Sequence, residues 1–257
     1  MNISIQQAAS SIKAYEQWHE TIASNLSAAT IPGFKANQFS MLAEEVSKQS
    51  QEALNQPGSI MQSYQMPKGS THLDFSPGPL KNTETPTDLA ISGEGFFEIE
   101  LDGGELGYTR DGEFHINDQG ELVTKQGYPV LGDNGGPIIF QDTTGLNFTI
   151  GRSGQISEND TFSGQTLRIV NIGDTRQMSH AGGGIFKVSD PNAAQINPMN
   201  EDEIDVHQFH LEQSNVSTIH EMTRMIQAMR SNEVNHRIIQ HHDQRLGKTI
   251  AELGQPI

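Results

Sequence analysis

The sequence contains no cysteine, one tryptophan and few aromatic residues, which make up 6% of its 257 residues. Without cysteine there is no disulfide, no thiolate nucleophile and no cysteine-based metal site. Basic residues are also scarce, with 16 against 32 acidic ones and a formal net charge of -16. Contacts to phosphates and anionic lipids depend on Lys and Arg, so this balance argues against binding to nucleic acid or to acidic membrane surfaces.

Long apolar runs are absent as well. No stretch of 18 apolar residues occurs, which predicts no membrane span. The N-terminal residues lack a basic start followed by an apolar stretch, which predicts no ordinary signal peptide. Hydrophobic residues make up 34% of the chain, below the globular average of roughly 45–50%. We therefore expect part of the chain to stay unburied in the monomer, as helices that need a partner subunit would.

The N-terminal segment has the apolar spacing of a helix. One row of residues recurs at intervals of three and four over three heptads, the spacing of a coiled-coil seam. This first predicted seam consists of Ile5, Ala8, Ile12, Tyr15, Ile22 and Leu26, with His19 as its one polar member. Pro32 disfavours helix at Ile31, and Pro32-Gly33 suits a type II turn. Residues 1–36 are predicted to form an assembly helix that ends in a sharp turn.

The C-terminal segment, residues 216–257, shows a second helical row. About 36 helical residues at 1.5 Å per residue would span about 54 Å, more than one small sheet domain needs. The two rows predict helices that pair as a coiled coil, with each other or with copies from neighbouring subunits; the alternative is an ordinary α+β enzyme with two packing helices. The second predicted seam consists of Ile219, Met222, Ile226, Met229, Ile239, Leu246 and Leu253.

Between the helices the pattern changes twice. Residues 37–75 are polar and rich in Gln and Ser, which predicts a linker or extended arm with weak secondary structure. Residues 76–215 contain short runs with a period of two, separated by Gly, Asp and Asn turns, which indicates antiparallel sheet. The predicted fold class is α+β, with a central antiparallel β domain flanked by N- and C-terminal heptad helices.

No motif in the chain predicts catalysis, a cofactor or a metal. Ten histidines are present, but none of the neighbouring pairs has the i, i+4 spacing of helical zinc sites. We interpret the histidines as exposed or interfacial residues. The alternative is that they bind the metal of a metal-dependent hydrolase. Gly93 and Gly95 give G-x-G without the third glycine of a dinucleotide site, so they predict a turn into a strand.

Three stretches, in order along the chain, resemble one known family: SNLSAATIPGFKAN from Ser24, residues 86–132, and the segment that begins LEQSNV at Leu211. They are similar to the N-terminal, central and C-terminal motifs of bacterial flagellar rod and hook axial proteins. The sequence departs from the family pattern at Ala29, Ile31 and Asn232, where an aromatic residue is usual at the last. The residues that carry the resemblance are Ser24, Asn25, Pro32, Gly33, Phe34, Leu89, Gly93, Gly95, Phe96, Phe97, Tyr108, Thr109, Arg110, Gly127, Tyr128, Pro129, Ser214, Asn215 and Val216.

The resemblance implies a structural, non-enzymatic subunit of the flagellar basal-body rod, the drive-shaft tube that spans the periplasm. Its partners would be further copies of itself, other flagellar rod and hook proteins, and the flagellar type III export apparatus, which it would use without a cleaved signal peptide. The terminal helices would form an inner coiled-coil layer and the β domain an outer one. Length and the segment LGDNGGPI resemble the proximal-rod, F-type branch, with the distal, G-type branch as the alternative.

Two further functions stay open from the residues. A hook-type axial protein of the same family is one, although such proteins are usually longer. A soluble β-rich surface or carbohydrate-binding module is the other, and it would need exposed aromatic side chains on the sheet. The single tryptophan, Trp18, lies instead in the N-terminal helix, which disfavours that function.

Overall fold

The computed structural model describes residues 3–47, 63–141 and 148–253. It confirms the α+β composition, with a β-rich middle between a long N-terminal and a long C-terminal helix. The helices are α1 (Ile3–Ser27), α2 (Pro191–Ala194) and α3 (Thr218–Leu253), and a 3-10 turn covers Thr175–Gln177. The strands are β1 (Asn37–Ser47), β2 (Ser63–Leu73), β3 (Leu80–Asn82), β4 (Leu89–Ile91), β5 (Phe96–Glu100), β6 (Leu106–Thr109), β7 (Phe114–Ile116), β8 (Leu122–Thr124), β9 (Phe148–Ile150), β10 (Gln155–Glu158), β11 (Thr161–Thr166), β12 (Ile169–Ile172), β13 (Met178–Gly182), β14 (Ile185–Val188), β15 (Ile196–Pro198), β16 (Val206–Gln208) and β17 (His210–Glu212).

The chain divides into two compact units. Unit 1 combines Met1–Leu26, Asn37–His72 and Thr218–Ile257, and unit 2 combines Ser27–Ala36 with Leu73–Ser217. Both terminal helices therefore belong to unit 1, whereas the turn that follows α1 belongs to unit 2. No helix in the described residues is long and apolar enough to cross a membrane.

In unit 1, α1 packs against a ribbon formed by β1 and β2. Trp18 stacks on Phe39 with 6.1 Å between ring centroids. The Asn25 side chain donates to the Asn37 carbonyl at 2.9 Å and accepts from the Asn37 amide at 2.8 Å. The ribbon occupies part of the segment in which weak secondary structure was predicted. Strands form here without an alternating apolar pattern because the hydrogen bonds between them join backbone groups, which every residue carries. Packing on α1 adds to this pairing.

In unit 2, the largest sheet in the described residues has six strands in the order β13-β14-β6-β5-β12-β15. Every neighbouring pair in it is antiparallel, as the turn-rich sequence predicted. Smaller antiparallel pieces complete the unit: a three-stranded sheet of β11, β10 and β9, and the pairs β16–β4, β17–β3 and β7–β8.

The central strand β5 is buried on both faces. Phe97 and Ile99 join the larger apolar cluster, which also contains Leu89 and Phe114. Phe96, on the opposite face, joins a second cluster. Successive side chains of a strand point to opposite faces, so the sheet separates two cores. From Phe97 onward the strand alternates apolar with polar residues, and Phe96 breaks the alternation because it packs in the second cluster.

Candidate functional site

The outer face of α3 carries a ridge of exposed side chains at intervals of four residues. We call Met222, Ile226, Arg230, Val234 and Ile238 the α3 ridge. Its four apolar members are between 43% and 58% exposed, and Arg230 in the middle is exposed too. Residues four apart line up along a helix surface, and such ridges pack into the grooves of other helices.

The second predicted seam lies on this solvent side of α3. Ile219 is 79% exposed and Met229 is 59% exposed, whereas Ile239 is half-buried. The side chains of Leu246 and Leu253 lie outside the described residues. The inward-facing row starts one residue before Met222, about 100° around the helix from the ridge. It consists of Glu221, Met225, Ala228, Asn232, Asn235 and Ile239.

Most of the first predicted seam is covered within unit 1, although its polar member His19 is exposed. Ala8 and Ile22 are buried, and Ile12, Tyr15 and Leu26 are half-buried. The Ile5 side chain lies outside the described residues. The helix α1 therefore covers its apolar row within unit 1, whereas α3 turns much of its apolar row outward. The two predicted seams thus do not meet as a continuous apolar interface in the described part of the monomer.

In unit 2, Glu212 is the centre of a buried ion cluster that also contains Lys35 and Arg110. Glu212 Oε1 accepts from Lys35 Nζ at 2.7 Å, and Glu212 Oε2 accepts from Arg110 Nη1 at 3.2 Å. All three side chains are at most 5% exposed. Burial lowers the pKa of Lys35 and of Arg110, and the Glu212 carboxylate opposes that shift in both. A buried ion triad of this kind needs every charge in place, because a removed partner leaves an unpaired buried charge.

Further hydrogen bonds fix the segments around this Glu212 cluster. Lys35 Nζ also donates to the Ser76 carbonyl at 2.9 Å, and the Gly78 amide donates to Glu212 Oε1 at 2.8 Å. The Asn215 side chain accepts from the Ala36 amide at 2.8 Å. Three distant parts of the chain, near residues 35, 77 and 213, are thereby tied together. Each lies next to a point where the chain passes between unit 1 and unit 2.

Gly33 lets the turn after α1 approach this cluster closely. Its φ is +66°, and a Cβ there would lie 2.2 Å from the Arg110 carbonyl carbon. The Gly33 amide donates to the Glu212 carbonyl at 2.7 Å. Only glycine combines a left-handed backbone with so short a separation.

Next to the turn, an aromatic stack contains a half-buried histidine. The His180 ring stacks on Phe34 at 4.7 Å and contacts Phe186 at 4.9 Å between centroids. Its Nε2 lies 3.1 Å from the Lys35 carbonyl. Burial lowers the pKa of His180, opposed by the contact with that carbonyl. The neutral ring, donating from Nε2, is therefore the form that fits this site.

The structure brings Gly33, Phe34, Arg110 and Asn215 of the family motifs together at the Glu212 cluster. Asn25 lies in unit 1, where it bonds Asn37. The remaining motif residues have other local positions. Leu89, Phe96, Phe97, Tyr108, Thr109 and Ser214 are buried, Pro32, Tyr128, Pro129 and Val216 are half-buried, Ser24 is exposed, and Gly93, Gly95 and Gly127 have positive φ.

Sequence reasoning missed Lys35, Glu212 and His180 as site residues. Lys35 and Glu212 lie inside the recognised stretches PGFK and LEQSN. A charged residue beside apolar residues in such a motif was the signal that could have indicated a buried ion pair. His180 lies in a stretch with no recognised motif. The partnership between positions 35 and 212 depends on tertiary folding, which local periodicity does not encode.

No group of three or more His, Asp or Glu side chains in the described residues is arranged to hold a metal ion. His207 and His210 lie with ring centroids 5.6 Å apart, but each has a protein partner. Asp205 contacts His207 Nε2 at 3.2 Å, and the Gln208 carbonyl contacts His210 Nδ1 at 2.8 Å.

Comparison with known proteins decides the family. Residues 90–158 match the family described as flagellar hook protein FlgE/F/G D1 domain, and residues 207–252 match flagellar basal body rod FlgEFG protein C-terminal. The flagellar basal-body rod protein FlgF of Caulobacter vibrioides is 33% identical over 214 residues, covering 83% of this chain and 82% of that protein. FlgG of Borreliella burgdorferi is 33% identical over 258 residues, covering 93% and 94%. The chain belongs to the flagellar basal-body rod protein family.

Membership confirms the resemblance stated from the three motifs. Relatives named FlgF and FlgG match at the same identity, so the chain is a rod-family protein of the F or G type. The first family match lies within unit 2, and the second begins in β16 and covers nearly all of α3. The α3 ridge and the Glu212 residue thus both lie in matched segments.

Proposed function

We propose that this rod-family protein is a structural subunit of the flagellar basal-body rod and that it polymerises through α1 and α3. The observation that carries this proposal is the α3 ridge, whose four apolar side chains are about half exposed. Fully burying one such side chain contributes about 1.5–3 kcal/mol, so completing their burial would contribute about 1 kcal/mol each. The role needs no catalytic group, cofactor or metal.

In the proposed assembly, the ridge of one subunit meets a different surface on the next. Such a heterologous contact repeats without closing and generates a helical filament. Coiled-coil pairing then arises between terminal helices of neighbouring subunits, where the outward-facing part of the second predicted seam becomes buried. Partners include copies of this chain and other rod and hook proteins.

The Glu212 cluster has a separate proposed role. Through the ion pairs of Glu212 with Lys35 and Arg110, it holds together segments of unit 2. These segments lie next to the points where the chain passes from one unit to the other. Tension applied along the chain during rotation would reach these segments first. A buried triad with directed hydrogen bonds resists their separation, because each charge loses its partner when they part.

Ile226→Asp tests the assembly role. The side chain is exposed, so the variant folds, but a carboxylate on the ridge opposes burial against a neighbour. We expect the variant to be missing from isolated basal bodies and unable to restore motility to a strain that lacks the wild-type protein. Gln227→Asp is the control, since it places the same charge on the next exposed position, off the ridge. Normal rods with Ile226→Asp would contradict the proposal.

We further propose the proximal, F-type position in the rod, supported by the length and the LGDNGGPI segment, and export without cleavage. Electron microscopy of basal bodies from a strain without the chain tests the position: an absent proximal rod is expected, whereas loss of the distal part alone indicates the G type. N-terminal sequencing of the protein from basal bodies tests the export, and a start beyond the first residues of α1 would contradict it.

A further inference from the structure

A groove in unit 1 runs between α1 and α3, with a volume of about 580 Å³. Its apolar lining comes from Tyr15, Ala228 and Met229, and its acidic lining includes Glu16 and Glu20. The groove combines a surface that accepts a hydrocarbon stem with carboxylates that attract a positive charge. The remaining lining residues are His19, Asn232, Glu233 and His236.

The polar groups of the groove have unmet interactions. Within the described residues, neither Glu16 nor Glu20 has a cationic partner, whereas Glu233 already accepts from Arg237 at 2.6 Å. The Oδ1 atom of Asn232 is buried and has no hydrogen-bond partner among these residues. A buried acceptor without a donor is costly, so a ligand that donates hydrogen bonds is favoured there. A long side chain with a cationic, multiply donating end fits these demands.

The α3 ridge supplies such a side chain. Arg230 stands between Ile226 and Val234 in the row, is exposed, and has no ion-pair partner in the described part of the chain. When a neighbour covers the ridge, Arg230 must enter the interface with its apolar neighbours. A guanidinium that loses water needs an acidic, hydrogen-bonding site to receive it.

We propose that Arg230 of one copy inserts into the α1–α3 groove of a second copy, where its guanidinium pairs with Glu16 and Glu20 and donates to Asn232. Its aliphatic stem packs on Tyr15 and Met229. This inference rests on the proposed assembly function and adds to it the residue that sets the register. An apolar ridge alone can slide along a groove, whereas one buried charge pair fixes one alignment.

The positions of ridge and groove agree with a repeating contact. Ala228 and Asn232 lie on the inward side of α3, whereas Ile226 and Arg230 lie on its outward side. One copy therefore offers its ridge while its own groove remains available to another. Such a contact between two different surfaces is the heterologous kind that propagates.

Cysteine cross-linking tests the contact directly, because the chain has no cysteine of its own. Glu20→Cys and Arg230→Cys copies are produced together in one strain, and intact basal bodies are oxidised. We expect a cross-linked dimer of this chain that neither variant gives alone. Rods that contain both variants without this dimer, or with a cross-link to a different protein, would overturn the inference.

Charge reversal tests the pairing. Arg230→Glu should lower incorporation into basal bodies by about tenfold or more, since like charges then meet in the interface. Glu20→Arg combined with Arg230→Glu should restore much of it. Lys13→Glu is the matched control, because it changes one exposed cation on α1 by the same charge. Loss with Lys13→Glu but not with Arg230→Glu would assign the cation to Lys13 and overturn the inference.

These outcomes separate the inference from the proposed function. If wild-type protein is absent from basal bodies, the rod-subunit proposal fails. If it is present, Ile226→Asp blocks incorporation, and Arg230→Glu assembles normally, then only the groove contact fails. Circular dichroism of each purified variant shows that its helices are retained, so that loss of incorporation reports the contact.

Discussion

Lys35 and Glu212, 177 residues apart in the sequence, form a buried ion pair with 2.7 Å between Nζ and Oε1. Arg110 shares the same carboxylate from its other oxygen. Lys35 lies in the turn after α1, Arg110 directly follows β6, and Glu212 lies in β17. The pair therefore joins two segments of unit 2, one that follows α1 along the chain and one that precedes α3.

Glu212→Gln should destabilise unit 2 by about 3–5 kcal/mol, because it leaves two buried cations without a counter-charge. Gln keeps the size of the side chain and an oxygen that accepts from the Gly78 amide, so the loss of stability measures the effect of removing the negative charge. Hydrogen exchange measured on peptides of unit 2 gives the change in opening free energy. The control is Glu105→Gln in the exposed pair with Lys187, for which we expect no measurable change. Equal, small effects of both variants would contradict the role of the cluster.

Asp111→Asn should make unit 2 more stable at pH 7. Burial raises the pKa of Asp111 to about 6 from 3.8, opposed by the hydrogen bond from the Glu113 amide. The folded form thus binds this proton more tightly than the unfolded chain, so the contribution of Asp111 to stability is full below about pH 4 and falls as the pH rises from about 4 to about 6. The asparagine should remove that fall and gain about 1–3 kcal/mol at pH 7.

The same hydrogen-exchange experiment, run between pH 4 and pH 7 and corrected for the intrinsic exchange rate, measures this dependence. Asp118→Asn is the control, because Asp118 is exposed and should leave the pH profile unchanged. A wild-type stability that rises over this interval and is unaffected by Asp111→Asn would contradict the prediction.

His180 should give a pH dependence of opposite sign. Burial lowers its pKa from 6.5, so the unfolded chain takes up this proton first. Its contribution to stability is present above pH 6.5 and is lost as the pH falls from 6.5 towards the folded pKa. His180→Phe keeps the stack on Phe34 and should remove the loss. An NMR titration of the His180 ring checks the shift directly, with exposed His115 as reference; a ring that titrates at or above 6.5 would contradict it.

The sequence predicted the elements whose signals are local. The heptad row and Pro32-Gly33 located α1 and its end, and the alternation around Phe97 with its Gly-rich turns indicated antiparallel strands. These signals depend on neighbouring residues along the chain, since helix and strand periods arise from backbone geometry. The family motifs indicated a flagellar rod or hook protein, which the helix and strand periods alone did not.

What the sequence could not predict depends on tertiary contacts. The apolar residues of α3 marked its seam, but the row packed inward contains Ala228 and Asn232, because small residues allow close approach to a neighbour. Apolar residues that need a partner outside the monomer are indistinguishable, in one sequence, from residues that pack inside it. The pairing of Lys35 with Glu212 was hidden for a similar reason: its signal is the folded position of two single residues.

Gly33→Ala should destabilise unit 2 more than an ordinary glycine replacement at positive φ. A methyl group at Gly33 meets the Arg110 carbonyl carbon at 2.2 Å, a backbone atom that cannot move without disturbing the Glu212 cluster. Gly103→Ala is the matched control, because Gly103 also has positive φ, +87°, with open space around its Cβ position. We expect about 1–2 kcal/mol for Gly103→Ala from backbone strain alone and at least about 3 kcal/mol for Gly33→Ala, where a clash is added. Denaturant titration followed by the near-ultraviolet circular dichroism of the unit 2 tyrosines measures both, and equal losses would show that the close approach at Gly33 contributes nothing.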